Sequence, residues 1–140
     1  MVGLLEDEKA ETGGYGDEEH LQIAPTVLTG ITEDSPVMQE EIFGPVLPVL
    51  TFGEIEEAIK FVKGREKPLA LYLFTRDAKT EKRVLRNLSF GGGCINDTII
   101  HLATPYMGFG GVGGSGMGSY HGKESFDTFS HKKECGEEVR

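Results

Sequence analysis

The sequence predicts an α/β fold, in which strands and helices alternate as β-α-β-α-β between residues 46 and 96. One observation is a continuous apolar run, Leu69–Phe74, which Pro68 and Arg76 bound and which is typical of a strand buried on both faces. Another is that segments with helical features lie on either side of this run. Because strands that alternate with helices form parallel sheets with crossover connections, we expect a parallel sheet here.

The elements of this unit follow one another along the chain. A short apolar strand over Val46–Leu50 comes first. Residues 53–64 then form an amphipathic helix, whose acidic first turn and basic last turn suit the helix dipole. Asp77 caps a second helix that runs to about Leu88, and Gly93–Asn96 forms the third strand. Three parallel strands leave faces and edges that need covering, so the pattern is that of half a sheet.

Regular structure is also predicted on both sides of this unit. Val2–Glu8 is predicted to be the end of a helix, and Lys9–Gly14 a short strand that runs into a glycine turn. Leu21–Gly30 is rich in residues that favour strands, and Pro25 within it indicates an edge strand or an extended segment. Phe126–His131 alternates apolar and polar residues, as a half-buried strand does.

Charge and composition exclude several classes of partner. The net charge of −9 argues against nucleic acid and anionic membranes. No apolar run reaches the length of a membrane span, and the first eight residues lack the features of a signal peptide. Two cysteines, Cys94 and Cys135, are too few for a disulfide framework. We therefore expect a cytoplasmic protein with reduced thiols.

The five residues Glu41–Pro45 combine groups that suit a nucleotide. A carboxylate such as that of Glu41 accepts two hydrogen bonds from adjacent hydroxyls, for example those of a ribose diol. The aromatic ring of Phe43 can pack against a flat heterocycle. Gly44 permits close approach of the backbone, and Pro45 fixes the following turn. The alternative interpretation is a polar loop that leads into a strand.

The glycine-rich segment near the C-terminus matches a dinucleotide-binding motif in sequence but not in its predicted structural context. Gly111–Gly116 fits G-x-G-x-x-G, the fingerprint of dinucleotide-binding folds. That fingerprint requires a strand before it and a helix after it. Gly118 and Gly122 follow instead, and glycine is a poor helix former. We therefore reject the fingerprint interpretation.

Other reactive residue types lack the neighbours that chemistry requires. The cysteine Cys94 lies in a predicted strand with no histidine beside it, which indicates an inert, buried thiol. Asn96 and Asp97 end that strand, where we expect turn and cap chemistry rather than a ligand site. A metal site is not predicted, because none of the histidines has ligand spacing to a suitable partner. These histidines are His20, His101, His121 and His131.

Three stretches, in the same order, resemble the aldehyde dehydrogenase superfamily. Pro36–Val46 resembles the family's cofactor-side motif, and Glu66–Phe74 resembles a second family stretch. Gly110–Lys123, followed by Phe126–His131, is similar to the C-terminal part of the class 3 branch, whose members are dimers that act on fatty and aromatic aldehydes. The resemblance covers nearly the whole chain, but only the C-terminal quarter to third of such an enzyme.

The resemblance implies the residues of the site. Glu41 would bind the nicotinamide ribose of NAD or NADP, and Phe43 would lie beside the nicotinamide ring. Phe109 would line the substrate pocket, and the alternative for Phe109 is an ordinary packing role. The family usually has proline where Gly108 stands, which loosens the backbone there. The family's catalytic cysteine and general-base glutamate precede the position that Glu41 matches, so we expect no catalytic residue in this chain.

The resemblance also implies the organisation of the chain. Residues 1–125 would be a partial catalytic domain that contains the cofactor motif, the parallel sheet and the glycine loop. Residues 126–140 would be the oligomerisation strand and its tail. The implied partners are a second copy of the chain and the N-terminal portion of the same enzyme.

The implied activity is oxidation of an aldehyde to a carboxylic acid with NAD or NADP. The isolated chain is expected to be inactive, to bind the cofactor weakly or not at all, and to meet the aldehyde only in a complete enzyme. A second hypothesis is a non-catalytic module that uses the same strands to dimerise or to cap a partner. The motifs specify neither the aldehyde nor the choice between NAD and NADP, and they leave open whether Met1 is a natural start.

Overall fold

The computed structural model describes residues 2–5 and 8–136. The chain divides between Phe52 and Gly53 into two compact units. Both contain a parallel pair of strands, and the helices lie mainly in the second unit, so the predicted α/β class is confirmed. Of the helix end predicted over Val2–Glu8, the structure has a 3-10 helix over Val2–Leu4. Residues 6–7, and residues 137–140 of the predicted tail, lie outside the described residues.

The first unit is built on a three-stranded sheet. Strand β1 (Lys9–Thr12) pairs antiparallel with β4 (Thr26–Thr29), and β4 pairs parallel with β5 (Val46–Pro48), so the order in the sheet is β1-β4-β5. Two short strands, β2 (Gly16–Asp17) and β3 (Gln22–Ile23), form a separate hairpin. Strand β4 is therefore the central strand, and the edge position that Pro25 suggested is wrong for it. Pro25 lies just before β4, where its missing N–H removes no ladder bond.

Buried apolar side chains, including Leu28 of the central strand, form the core of this unit. Leu28 of β4 is fully buried, and Leu5, Ile31 and Val37 pack around it. A 3-10 helix over Pro36–Met38 carries Val37, which is 2% exposed, into this core. The half-buried side chains against the core are Met38, Ile42, Val46 and Leu50.

Over residues 53–136, the second unit contains a parallel pair of strands, three α-helices and two short 3-10 helices. Helix α1 (Ile55–Lys63) buries Ile59, and helix α2 (Ala78–Asn87) buries Val84. The two helices are linked by the ion pair between Arg83 and Glu56 and by a hydrogen bond of 3.1 Å from Lys63 Nζ to Asn87 Oδ1. Strand β6 (Ala70–Leu73) pairs parallel with β7 (Gly92–Ile95), with Ala70 opposite Gly92. Helix α2 is the crossover between these two strands.

The three predicted strands do not share one sheet. The predicted strand at residues 46–50 is present as β5, but its partner is β4 rather than β6. Only β6 and β7 form the β-α-β unit with α2 between them. The physical reason is that Thr26–Thr29 offers β5 a partner earlier in the chain, which a reading of residues 46–96 alone does not reveal.

The predicted C-terminal strand is also wrong in its local structure. Residues Gly122–Thr128 form helix α3, and residues 129–136 have no regular secondary structure. Side-chain hydrogen bonds stabilise this helix: the Ser125 hydroxyl accepts one from the His121 N–H, and the Thr128 hydroxyl donates one to the Glu124 carbonyl. An ion pair between Lys123 and Asp127 adds i,i+4 support.

Candidate functional site

A core side chain anchors the Glu41–Pro45 segment. Ile42 is half-buried against the core that contains Leu28 and Val37. The Gly44 N–H donates to the Ile42 carbonyl at 3.0 Å, and the Pro45 carbonyl accepts a hydrogen bond of 2.8 Å from Thr26 N at the start of β4. The segment is thus fixed at Ile42 and at Pro45, with Phe43 and Gly44 between the two fixed points.

This anchoring presents Glu41 and Phe43 to solvent. Glu41 is exposed, and Phe43 is 87% exposed although it is a large apolar side chain. In the part of the chain that the structure describes, the Glu41 carboxylate has neither a hydrogen bond nor an ion pair. An unpaired carboxylate and a bare aromatic ring, two residues apart on an irregular segment, are able to bind a diol and a flat ring.

Phe109 lies in a cluster of rings rather than on an open surface. Its backbone forms an isolated antiparallel bridge with Tyr120, with N···O distances of 2.7 and 3.0 Å. The Phe109 ring stacks on His121 at 5.9 Å, meets Tyr120 edge-on at 5.7 Å and lies 6.0 Å from His101. The ring is half-buried, so one part of Phe109 packs while another part faces outward.

Gly108, which stands where the resemblance predicts proline, lies close to two side chains of the same unit. A Cβ added to Gly108 would overlap the Ser119 hydroxyl and would lie 2.8 Å from Glu124 Cγ. The side chains of Ser119 and Glu124 therefore occupy the space that a larger residue at position 108 would need. The neighbourhood of Phe109 is packed in a way that suits glycine.

The glycine loop does not form a dinucleotide fingerprint. A short 3-10 helix covers Gly113–Ser115, and the Ser115 hydroxyl closes it by accepting from Val112 N at 2.9 Å and donating to the Val112 carbonyl at 3.0 Å. Helix α3 begins only at Gly122, and the segment before the loop contributes a single bridge rather than a strand. This geometry agrees with the rejection of the fingerprint.

A thiol–imidazole pair is the feature that sequence reasoning missed. The Sγ atom of Cys94 lies 3.6 Å from Nδ1 of His101, so the prediction that Cys94 has no histidine beside it is wrong. The 3-10 helix Ile100–Leu102 returns the chain to the face of β7 and brings His101 back. Spacing of seven residues across an irregular turn gives no periodic signal, which explains the omission.

Asn96 and Asp97 perform the turn chemistry that their types predicted. Asn96 has a positive φ of 57°, and its side-chain amide bonds to the backbone of Thr75. The Asp97 carboxylate accepts a hydrogen bond of 2.7 Å from Thr98 N. Both side chains are thus engaged with nearby backbone.

Shifted pKa values belong to surface caps and ion pairs, not to this site. Hydrogen bonds from the side chain and backbone of Thr80, and from Lys79 N, hold the pKa of Asp77 below its usual range. The hydrogen bond with Asp127 raises the pKa of Lys123.

Among residues 2–5 and 8–136, no group of three or more His, Cys, Asp or Glu side chains is placed to hold a metal ion. Within the same residues, no helix is long and apolar enough to cross a membrane.

Comparison with known proteins gives a consistent result. Residues 3–135 match the profile of the Aldehyde dehydrogenase family. The chain is 60% identical over 121 residues to the 4,4'-diaponeurosporen-aldehyde dehydrogenase of Staphylococcus aureus. The matched region covers 86% of this chain and 26% of that relative. It is 51% identical over 135 residues to the dimeric NADP-preferring aldehyde dehydrogenase of Bos taurus, covering 96% of this chain and 56% of the relative.

Further likenesses point the same way. The aldehyde dehydrogenase family 3 member A2 of Rattus norvegicus is 54% identical over 135 residues, covering 96% of this chain and 28% of that protein. The substrate-bound structure of AldH from Staphylococcus aureus superposes with a TM-score of 0.89 at 51% sequence identity, covering 99% of this chain and 32% of that chain. The chain therefore spans about a quarter to a half of the length of these relatives.

Proposed function

Because the chain belongs to the aldehyde dehydrogenase family, we propose that it is the C-terminal portion of an NAD(P)-dependent enzyme that oxidises aldehydes to carboxylic acids. The observation that carries the proposal is the pair Glu41 and Phe43, which an anchored Ile42 holds outward on one short segment. The bovine relative's description as NADP-preferring supports a nicotinamide cofactor.

Glu41 and Phe43 would hold the cofactor. The free carboxylate of Glu41 has the acceptors that a ribose diol needs, and Phe43 has an exposed face for the nicotinamide ring. Bound NAD or NADP supplies the hydride acceptor. The contribution of this segment is to orient the sugar and the ring, because its backbone is fixed at Ile42 and Pro45.

Phe109 would line the aldehyde pocket through its outward part. Its ring is braced by Tyr120 and His121, so its position is defined before a substrate arrives. An apolar wall of this kind suits the apolar body of a fatty or aromatic aldehyde.

The thiolate and the general base would come from an N-terminal portion of the same enzyme. The chemistry requires a thiol that attacks the aldehyde carbon and a base that activates water, and the family resemblance assigns both to positions before the one matched by Glu41. The isolated chain is therefore inactive, and its affinity for NAD is on the order of millimolar or weaker. We propose a cytoplasmic homodimer for the assembled protein, in line with the bovine relative's description as dimeric.

The test mixes the chain with the N-terminal part of the Staphylococcus aureus relative, which is 60% identical in the shared region. NADH and NADPH formation is followed spectrophotometrically with hexanal and with benzaldehyde. We expect no product from the chain alone and product from the mixture. Activity of the isolated chain that is lost in Cys94→Ser would show that the nucleophile is in this chain.

Variants of the mixture then test the assigned roles. Glu41→Gln should raise the KM for the cofactor roughly tenfold, because it removes a charge-assisted pair of hydrogen bonds. Glu40→Gln is the matched control, since Glu40 is an exposed neighbour on the same segment, and it should leave that KM unchanged. Equal effects of the two variants would mean that charge in general, rather than Glu41 in particular, serves the cofactor.

A second candidate function is a non-catalytic interaction module. Exposed aromatic side chains favour it, since Phe126 is 71% exposed and Phe129 89% exposed. The same mixing experiment separates the two functions. A complex that forms without activity, at cofactor concentrations well above millimolar, supports the module.

A further inference from the structure

The thiol–imidazole pair is built by one face of β7 and the turn after it. Alternation along β7 places Gly92 and Cys94 on the same face of the strand. A Cβ added to Gly92 would lie 3.0 Å from His101 Cδ2, tighter than ordinary packing, so glycine at this position makes room for the imidazole. His101 Nδ1 then comes within 3.6 Å of Cys94 Sγ.

The surroundings of His101 leave it few other polar contacts. The side chain is 4% exposed, and the rings of Tyr72 and Phe109 lie 5.6 and 6.0 Å away. Its Nε2 atom is buried without a hydrogen-bond partner in the described part of the chain. Buried polar atoms are normally paired, so an imidazole kept here with a thiol as its hydrogen-bonding neighbour is unusual. In residues 2–5 and 8–136, no carboxylate or cationic side chain is bonded to either member of the pair.

We infer that Cys94 is a modification site for small carbon electrophiles, with His101 as the base that accepts the thiol proton. The thiolate is the reactive form of cysteine, and an adjacent imidazole is the usual means of producing it. Cys94 is half-buried whereas His101 is 4% exposed, so the thiol is the more accessible member of the pair. His101 is at the distance at which a sulfur atom shares a proton with a ring nitrogen.

The chemical step is a simple displacement. With an alkyl iodide, a bond forms between Sγ and the electrophilic carbon, and the carbon–iodine bond breaks. Iodide leaves with the bonding electrons, and the thiol proton passes to Nδ1 of His101 and from there to solvent. No oxidant or reductant is required. The inference does not depend on the proposed oxidation of aldehydes, because it concerns a thiol that the dehydrogenase chemistry does not use.

The experiment compares the two thiols of the same molecule. The full 140-residue chain is treated with iodoacetamide at about pH 7, and alkylation of Cys94 and Cys135 is followed by peptide mass spectrometry. The measured quantity is the ratio of the Cys94 rate to the Cys135 rate, first in the folded chain and then in concentrated urea. Cys135 is exposed and serves as the internal reference.

Burial alone would lower this ratio on folding, whereas base assistance raises it. We expect a rise of about tenfold or more in the folded chain, because partial burial of the thiol offsets part of the roughly 10²–10⁴-fold gain that general-base catalysis supplies. Any smaller change, or a fall, overturns the inference. This comparison uses the wild-type chain and does not depend on a variant that folds.

The His101→Gln variant tests the base directly. If circular dichroism shows that it folds, its ratio should return to the value in urea, and a ratio that stays raised overturns the role of His101. The control is His20→Gln, which removes a histidine that pairs with Asp17 in the other unit, and its ratio should equal that of the wild type. If His101→Gln does not fold, the wild-type ratio decides the matter.

Discussion

Asn96 and Thr75 pair through two reciprocal hydrogen bonds. The Thr75 N–H donates to Asn96 Oδ1 at 2.9 Å, and Asn96 Nδ2 donates to the Thr75 carbonyl at 2.9 Å. The Asn96 N–H also donates to the Leu73 carbonyl at 2.8 Å. The side chain of Asn96 therefore extends the parallel pairing of β6 and β7 past the end of the strands. Asparagine also tolerates the left-handed backbone at this position, where φ is 57°.

Replacing Asn96 should destabilise the second unit. Asn96→Ala removes both side-chain bonds and puts alanine at a positive φ, so we expect the free energy of unfolding to fall by about 1–2 kcal/mol. Asn96→Gly removes the same bonds but accepts the positive φ, which separates the two causes. Urea denaturation followed by circular dichroism measures both variants. If Asn96→Gly is as stable as the wild type, the reciprocal bonds contribute nothing.

Gly93 is the position on β7 where a side chain is least tolerated. A Cβ at Gly93 would overlap the backbone carbonyl of Leu71 on the paired strand β6, and the backbone cannot move aside without breaking the ladder. Gly93→Ala should therefore lower the free energy of unfolding by at least about 2 kcal/mol. Gly136→Ala is the matched control, because a Cβ there has open space. Equal urea midpoints for the two variants would contradict the expected clash.

The local signals in the sequence located the helices well. The helices predicted over residues 53–64 and 77–88 are observed as Ile55–Lys63 and Ala78–Asn87. Asp77 caps the second one by accepting from Lys79 N and Thr80 N. Charge bias, capping and periodicity are properties of neighbouring residues, so they are legible without the fold. The family resemblance, which rests on longer stretches, is confirmed over residues 3–135.

Contacts between residues distant in the sequence were harder to predict than the helices. The pairing of β5 with β4 joins residues some twenty positions apart, and nothing in the sequence of Val46–Pro48 specifies which strand it pairs with. The i, i+3 spacing of Phe126 and Phe129 fits a helix as well as a strand, and the structure has helix α3, which contains Phe126 and ends just before Phe129. The contact between Cys94 and His101 depends on the irregular turn between them. The roles of Glu41, Phe43 and Phe109 stay predictions.

Asp77 should make stability depend on pH in the acid range. Its pKa is lowered in the folded state, chiefly by hydrogen bonds from the Thr80 hydroxyl and backbone, so the carboxylate form favours folding. This contribution is complete above the unfolded pKa of about 3.9 and is lost as the pH falls through the lower folded pKa. Wild type should therefore be more stable than Asp77→Ala at neutral pH, and the difference should shrink below about pH 4.

Asp77→Asn is the control for this titration. Asparagine also accepts capping bonds but does not titrate, so its stability relative to Asp77→Ala should not change with pH. Thermal melts across an acid pH series measure all three proteins. If the difference between wild type and Asp77→Ala persists unchanged at the lowest pH, the charge of Asp77 is not the cause.

Exposed phenylalanines near the C-terminus should make the isolated chain self-associate. Phe126 is 71% exposed and Phe129 89% exposed, at the end of helix α3 and just beyond it, and exposed aromatic area is costly in water. Strands β6 and β7 form a two-stranded sheet, whose outer edges also attract pairing. The net charge of −9 opposes indefinite aggregation, so a small closed assembly, a dimer above all, is the expected product.

Sedimentation equilibrium over a concentration series measures this association. Phe129→Lys should weaken the dimer roughly tenfold or more, because it replaces a buried contact with a charge. Tyr15→Lys is the matched control, since Tyr15 is 68% exposed but lies in the other unit, and it should leave the dimer unchanged. A dimer that Phe129→Lys leaves intact would place the contact elsewhere. A monomer at every concentration, with a cooperative melt, would mean that these side chains remain in water at no cost to solubility, and the expectation of a dimer would be wrong.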